Sequence, residues 1–108
     1  MNPPPLTYVY LYAPNDMPDH EVERRTVEAE NYATKHRYGV FKVFYEWDRQ
    51  TRPALGELVA EIGRSGGEYV IIPSLNDFSK NRLVQDAIVE RLTEEAGVIV
   101  IVMDEADE

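Results

Sequence analysis

The chain contains no cysteine. That single absence excludes disulfides, thiolate nucleophiles, zinc ribbons and iron–sulfur clusters. Long apolar runs are missing too: the longest, Val98 to Met103, falls far short of the roughly 20 residues a membrane helix needs. No basic segment leads into an apolar one, as a signal peptide requires, so a cytoplasmic location is expected. Glycine is sparse, and the six present never form GxGxxG or GxxxxGK, so there is no glycine-rich phosphate cradle. His20 and His36 lack a paired ligand four residues away, and a lone histidine on a polar helix is read as solvated. No GxSxG elbow occurs. Neither a cofactor nor a metal is expected.

Positive charge is also short. Eleven Lys and Arg against 20 Asp and Glu leave a net charge of −9. Nucleic-acid binders show the opposite balance, because Lys and Arg release counterions from phosphates. The bases that exist are scattered as Arg24 and Arg25, Arg49 and Arg52, Lys80 and Arg82. Nucleic acid is therefore not expected as a partner of this domain alone. Nor is a membrane.

What is present describes one domain. The 108 residues, 44% of them hydrophobic, suit a single core. Residues 1–6 (MNPPPL) read as a proline-rich arm, 7–103 as the domain, and 104–108 as an acidic tail. Tyr8 to Tyr12 is a run of strand formers closed by Pro14-Asn15-Asp16. Asp19 is placed to cap a helix to about His36, on a thin apolar face of Val22, Val27, Ala29 and Ala33. Val40 to Tyr45 is the second strand. A helix from Pro53 carries Leu55, Leu58, Val59 and Ile62 at helical spacing and stops at Gly66-Gly67. Tyr69 to Pro73 is the third strand. A helix from Ser79, striped by Leu83, Val84, Ala87, Ile88 and Leu92, stops at Gly97 before a strand over Val98 to Val102.

The order βαβαβαβ, with short strands apolar on both faces, predicts an open, mainly parallel sheet of four or five strands between helices. In such a fold the ligand crevice lies beyond the carboxyl ends of the strands. Acids fall there: Asp16, Glu46, Asp48, Asp77 and Asp104. Carboxylates converging at one sheet edge can hold Mg²⁺, but an acidic chain places acids on every exposed loop, and that plainer reading is preferred. The seven tyrosines are likewise read as sheet packing rather than a base-stacking platform, which needs a basic groove.

Three stretches carry a resemblance to a known family. The segment 69–102, a buried strand followed by Ser74-Leu75-Asn76-Asp77-Phe78-Ser79-Lys80, a long helix, Gly97 and another strand, resembles the serine recombinases (the resolvase/invertase family), whose loop reads K-L-D-R-L-G-R. Upstream, TRPAL at 51–55 resembles the family's D-R-P-x-L, and YAPND at 12–16 its Y-A-R-V-S. The resemblance spans about residues 7–103 and implies a resolvase catalytic-domain fold.

The departures bear on activity. In that family a serine attacks a DNA phosphodiester and arginines neutralise the charge that develops. Here Asp16 stands at the serine position and Pro14 at an arginine position, beside a retained Tyr12. Sliding the motif by two residues puts Tyr10 on the tyrosine and Pro14 on the serine, which restores no nucleophile. In the loop Asn76 replaces the aspartate, Asp77 reverses the charge of an arginine, and Lys80 keeps only the charge of another. Arg52 is retained. Each lost electrostatic donor costs on the order of 3–4 kcal/mol of catalysis. Arg52 reads either as an inherited phosphate contact or, preferably, as a surface partner of Asp48 or Glu57.

The resemblance with these departures implies a catalytically inactive resolvase-like domain that binds a protein or small ligand, as a monomer or weak homodimer. Phe78, Trp47 or Phe41 are candidates for a dimer contact. A second reading is an enzyme of different chemistry, using Asp16, Asn76, Asp77, Lys80 and Arg52 at the strand ends. It requires Asp16, Asp77 and Lys80 to converge on one pocket. An active DNA recombinase is the least favoured reading, on charge.

Overall fold

Every crossover in this chain carries a helix, so its strands run parallel. The computed structural model describes residues 4–106. Strands β1 (Leu6–Tyr12), β2 (Gly39–Glu46), β3 (Tyr69–Ile72) and β4 (Ile99–Val102) form one sheet in the order β2-β1-β3-β4. All three pairings are parallel. Four strands are present among the described residues, at the lower end of the four or five expected.

Helix α1 (Asp19–Lys35) covers one face, and α2 (Pro53–Ser65) and α3 (Arg82–Glu90) cover the other. Beneath α1, Val9, Leu11 and Ile71 meet Ala29, Tyr32 and Ala33. On the opposite face Tyr8, Tyr10, Phe44, Val70 and Ile72 meet Leu55, Leu58, Ile62, Ile88 and Leu92. Each Val, Leu, Ile or Phe among them contributes about 1.5–3 kcal/mol when fully buried. Five consecutive residues of β1, Thr7 to Leu11, are buried, as a central parallel strand requires.

Several boundaries differ from the sequence reading. Pro5 already accepts a hydrogen bond from the Gly39 amide (3.2 Å), and β1 starts at Leu6, so the arm ends earlier than residue 6. The rest of the expected arm at 1–3, and residues 107–108 of the expected acidic tail, lie outside the described residues. Met103–Ala106 form a single helical turn, α4. Asp19 does not cap α1. It is the first helical residue after Pro18, with its negative charge at the positive end of the helix dipole.

Helix α3 is shorter than its stripe suggests. Asn81 caps it, accepting from the amides of Leu83 (2.9 Å) and Val84 (3.2 Å). Before it, Ser79 accepts from the Asn81 amide (3.0 Å). Its inward face is Val84, Ile88 and Leu92, whereas Leu83 is 79% exposed and Ala87 also points outward. After Glu90 the chain widens into a π turn over Arg91–Glu95.

The two glycines after α2 do different work. Gly66 takes the left-handed conformation (φ 72°) that closes the helix, its amide reaching Ile62 O at 2.9 Å. Gly67 lies against Tyr8, where an added Cβ would come within 2.5 Å of the ring.

Candidate functional site

The strand order reverses between β1 and β3, because β2 is laid down on one side of β1 and β3 and β4 on the other. That reversal opens a crevice at the carboxyl ends of the strands. A cleft of about 320 Å³ lies there, lined by Tyr12, Met17, Arg25, Arg49, Ser74, Asn76 and Asp77.

Asp77 organises its floor. After β3, Ser74 caps a single 3-10 turn over Leu75–Asp77 in a capping box. The Ser74 side chain accepts from the Asn76 amide (3.1 Å), and Asp77 Oδ2 accepts from the Ser74 amide (3.2 Å). Oδ1 accepts from the Tyr12 amide (2.9 Å) and from Arg25 Nη2 (2.6 Å). Arg25 Nη1 also donates to the Tyr12 carbonyl (2.7 Å). The carboxylate side chain is 3% exposed and the arginine 18%. A carboxylate buried this deeply needs such hydrogen-bonding partners.

Arg49 roofs the cleft. Its guanidinium carbon lies 3.6 Å from the centroid of the Tyr12 ring, and Nη2 donates to the Asn76 carbonyl. Its Nε is buried and has no hydrogen-bond partner.

The sequence-selected residues divide. Tyr12, Asn76 and Asp77 line the cleft. Pro14, Asp16, Arg52 and Lys80 are not among the lining residues. Asp16 and Lys80 are exposed and, unlike Asp77, do not line this cleft. Arg52 pairs with neither Asp48 nor Glu57, because its guanidinium turns toward the Phe78 carbonyl at 3.4 Å. It sits in the left-handed region (φ 48°, ψ 58°) and gives α2 no side-chain cap. Phe78 is fully buried, its ring 5.5 Å from that of Tyr10, and is not available for a dimer contact. Trp47 and Phe41 remain exposed.

The cap of α2 comes from a strand instead. Glu46, at the end of β2, is fully buried. It accepts from the amides of Ala54 (3.3 Å) and Leu55 (3.1 Å) and from the Tyr10 hydroxyl (2.7 Å). Burial, reinforced by the hydrogen bond to Glu46, pushes the Tyr10 phenol well above its ordinary value. Asp48 closes the next turn, accepting from the Gln50 amide and the Thr51 hydroxyl (both 2.8 Å). Those bonds, the Gln50 amide first, hold its carboxyl below the usual range. The five strand-end acids form no metal-holding group among the described residues. No helix among the described residues is long and apolar enough to cross a membrane.

Sequence reasoning named Arg25 and Arg49 only as scattered bases and Ser74 only as the start of the loop, and it overlooked Met17 and the capping role of Glu46. Arg25 left a signal: it lies one turn before Ala29 and two before Ala33, on the buried face of α1. An arginine there needs a carboxylate partner.

No protein-family profile and no curated protein sequence matches this chain. Its fold does match solved structures. The C-terminal catalytic domain of ISC1926 TnpA, an IS607-like serine recombinase, superposes with a TM-score of 0.76 at 20% identity, over 91% of this chain and 68% of that one. The N-terminal catalytic domain of TP901-1 integrase gives 0.75 at 15% identity, over 93% and 78%. A resolvase family site-specific recombinase from Streptococcus pneumoniae gives 0.75 at 14%, over 94% and 73%. With its parallel β2-β1-β3-β4 sheet and a crevice between β1 and β3, this chain carries the fold of the serine-recombinase catalytic domains.

Proposed function

We propose that this domain does not cleave DNA and serves as a protein- or ligand-binding module built on the recombinase scaffold. The observation that carries this reading is Asp77. Where the family loop has an arginine, a buried carboxylate is already neutralised by Arg25 at 2.6 Å. A phosphodiester brought to the cleft meets that carboxylate, and the position that holds the family's nucleophilic serine is Asp16, which lies outside the lining. Net charge of −9 adds repulsion at longer range. A scaffold outlives its chemistry, so the fold alone does not restore the reaction.

The test has two arms. Supercoiled plasmid is incubated with the protein and scored for nicking, and fluorescent duplex DNA is titrated at low and then physiological salt. No nicking and no binding are expected. Nicking, or salt-sensitive binding that Arg52→Ala or Lys80→Ala weakens, would overturn the reading.

A further inference from the structure

We propose that the cleft between β1 and β3 is a carboxylate-binding site, with Arg49 as the group that grips the ligand. The inference rests on the binding-module reading and names the chemistry of its ligand.

Charge in the cleft does not cancel. Arg25 is spent on Asp77 and the Tyr12 carbonyl. Arg49 has no carboxylate partner among the described residues, although the chain holds 20 acids. With two lining arginines and one lining aspartate, the cleft carries one net positive charge.

Arg49 is also held ready. The Tyr12 ring lies under its guanidinium, and the Asn76 carbonyl takes Nη2. A planar fork fixed in this way loses little side-chain freedom on binding. Its buried Nε–H lacks an acceptor, and an oxygen supplied by a ligand satisfies it. The Ser74 oxygen already accepts from the Asn76 amide, so its hydroxyl proton is left to donate. Met17 and the Tyr12 ring give the carbon stem of an acid an apolar wall.

A carboxylate suits this site better than a phosphate. One negative charge matches one net positive charge, and guanidinium forks take carboxylates in a bidentate pair. A phosphate dianion leaves one charge unmatched beside the buried Asp77. Because Nε is covered, the loop carrying Arg49 has to give slightly as the ligand seats. The turn at Asp48, Gln50 and Thr51 therefore reports binding as well.

The experiment is a nitrogen-15 NMR titration of the whole chain with sodium acetate, against sodium chloride and inorganic phosphate at matched ionic strength. Saturable shifts are expected with acetate at Arg49 Nε–H, the Tyr12 and Asn76 amides, and Gln50. Arg49→Gln weakens binding by about tenfold or more, the loss of one charge-assisted hydrogen-bonding group. Should Arg49→Gln fail to fold, Arg49→Lys, which keeps the charge without the fork, must still bind more weakly than the native protein. Acetate shifts no larger than those with chloride overturn the proposal. So does tighter binding of phosphate, or an unchanged affinity in the arginine variant. A peptide carrying one internal glutamate, compared with its glutamine counterpart, then separates a polypeptide source from a small acid. The plasmid assay judges the parent reading separately: absent acetate binding without nicking removes only this proposal.

Discussion

Asp77 Oδ1 and Arg25 Nη2, 52 residues apart in sequence, meet at 2.6 Å and lock the loop after β3 to helix α1. The same oxygen accepts the Tyr12 amide, so one carboxylate ties together β1, α1 and the loop. The pair closes the cleft floor and also determines its charge.

Asp77→Ala is expected to destabilise the fold by about 3–5 kcal/mol, because it strands a largely buried guanidinium. It also leaves the Tyr12 and Ser74 amides without an acceptor. Asp77→Arg, which recreates the charge of the family loop, places a second cation against Arg25 and is expected to be at least as damaging. Urea denaturation measures both. A stable Asp77→Arg variant would show that the pair is dispensable.

Glu46→Ala is expected to cost about 1–3 kcal/mol for each buried donor left unsatisfied. Those donors are the amides of Ala54 and Leu55 and the hydroxyl of Tyr10. Hydrogen exchange localises the effect: the first turn of α2 should lose protection well before β1 and β3.

Alkaline pH is the direction in which this core is vulnerable. The Tyr10 phenol, raised by burial, stays protonated in the fold, while in the unfolded chain it ionises near its ordinary value of about 10. Its contribution is fully present below that value and is lost as pH rises from there toward the higher folded value. Tyr8, raised chiefly by burial as well, acts in the same sense. Stability measured by urea from pH 8 upward should hold to about pH 10 and then fall. Tyr10→Phe should flatten part of that decline, and an unchanged slope would assign it to other groups.

Gly67→Ala is expected to destabilise by about 1–3 kcal/mol, as overpacking does in a close-packed core. Its Cβ would lie 2.5 Å from a ring atom of Tyr8, a side chain with no exposed surface. Gly63→Ala, an interior helix position with open space around its Cβ, is the control and should stabilise slightly. Thermal unfolding of the two variants separates close approach from helix propensity.

The alternation of apolar runs with helical stripes was enough to determine a parallel α/β sheet, because periodicity and crossover length are local properties of the chain. Leu55, Leu58 and Ile62 could be assigned to the core for the same reason. The resemblance at 12–16, 51–55 and 74–80 pointed to the recombinase scaffold and to Tyr12, Asn76 and Asp77 as residues at the crevice. Only the tertiary structure decided how those residues are used. The partner of Asp77 comes from α1, the grip of Arg49 depends on the Tyr12 ring and the Asn76 carbonyl, and the cap of α2 reaches back from β2. Leu83 faces outward although its spacing matches the stripe: with the cap at Asn81 it falls in the first turn of α3, and Val84, Ile88 and Leu92 make the contacts to the core instead. Each of these depends on contacts between distant segments, and local spacing carries no record of which distant group an ion or a ring will meet.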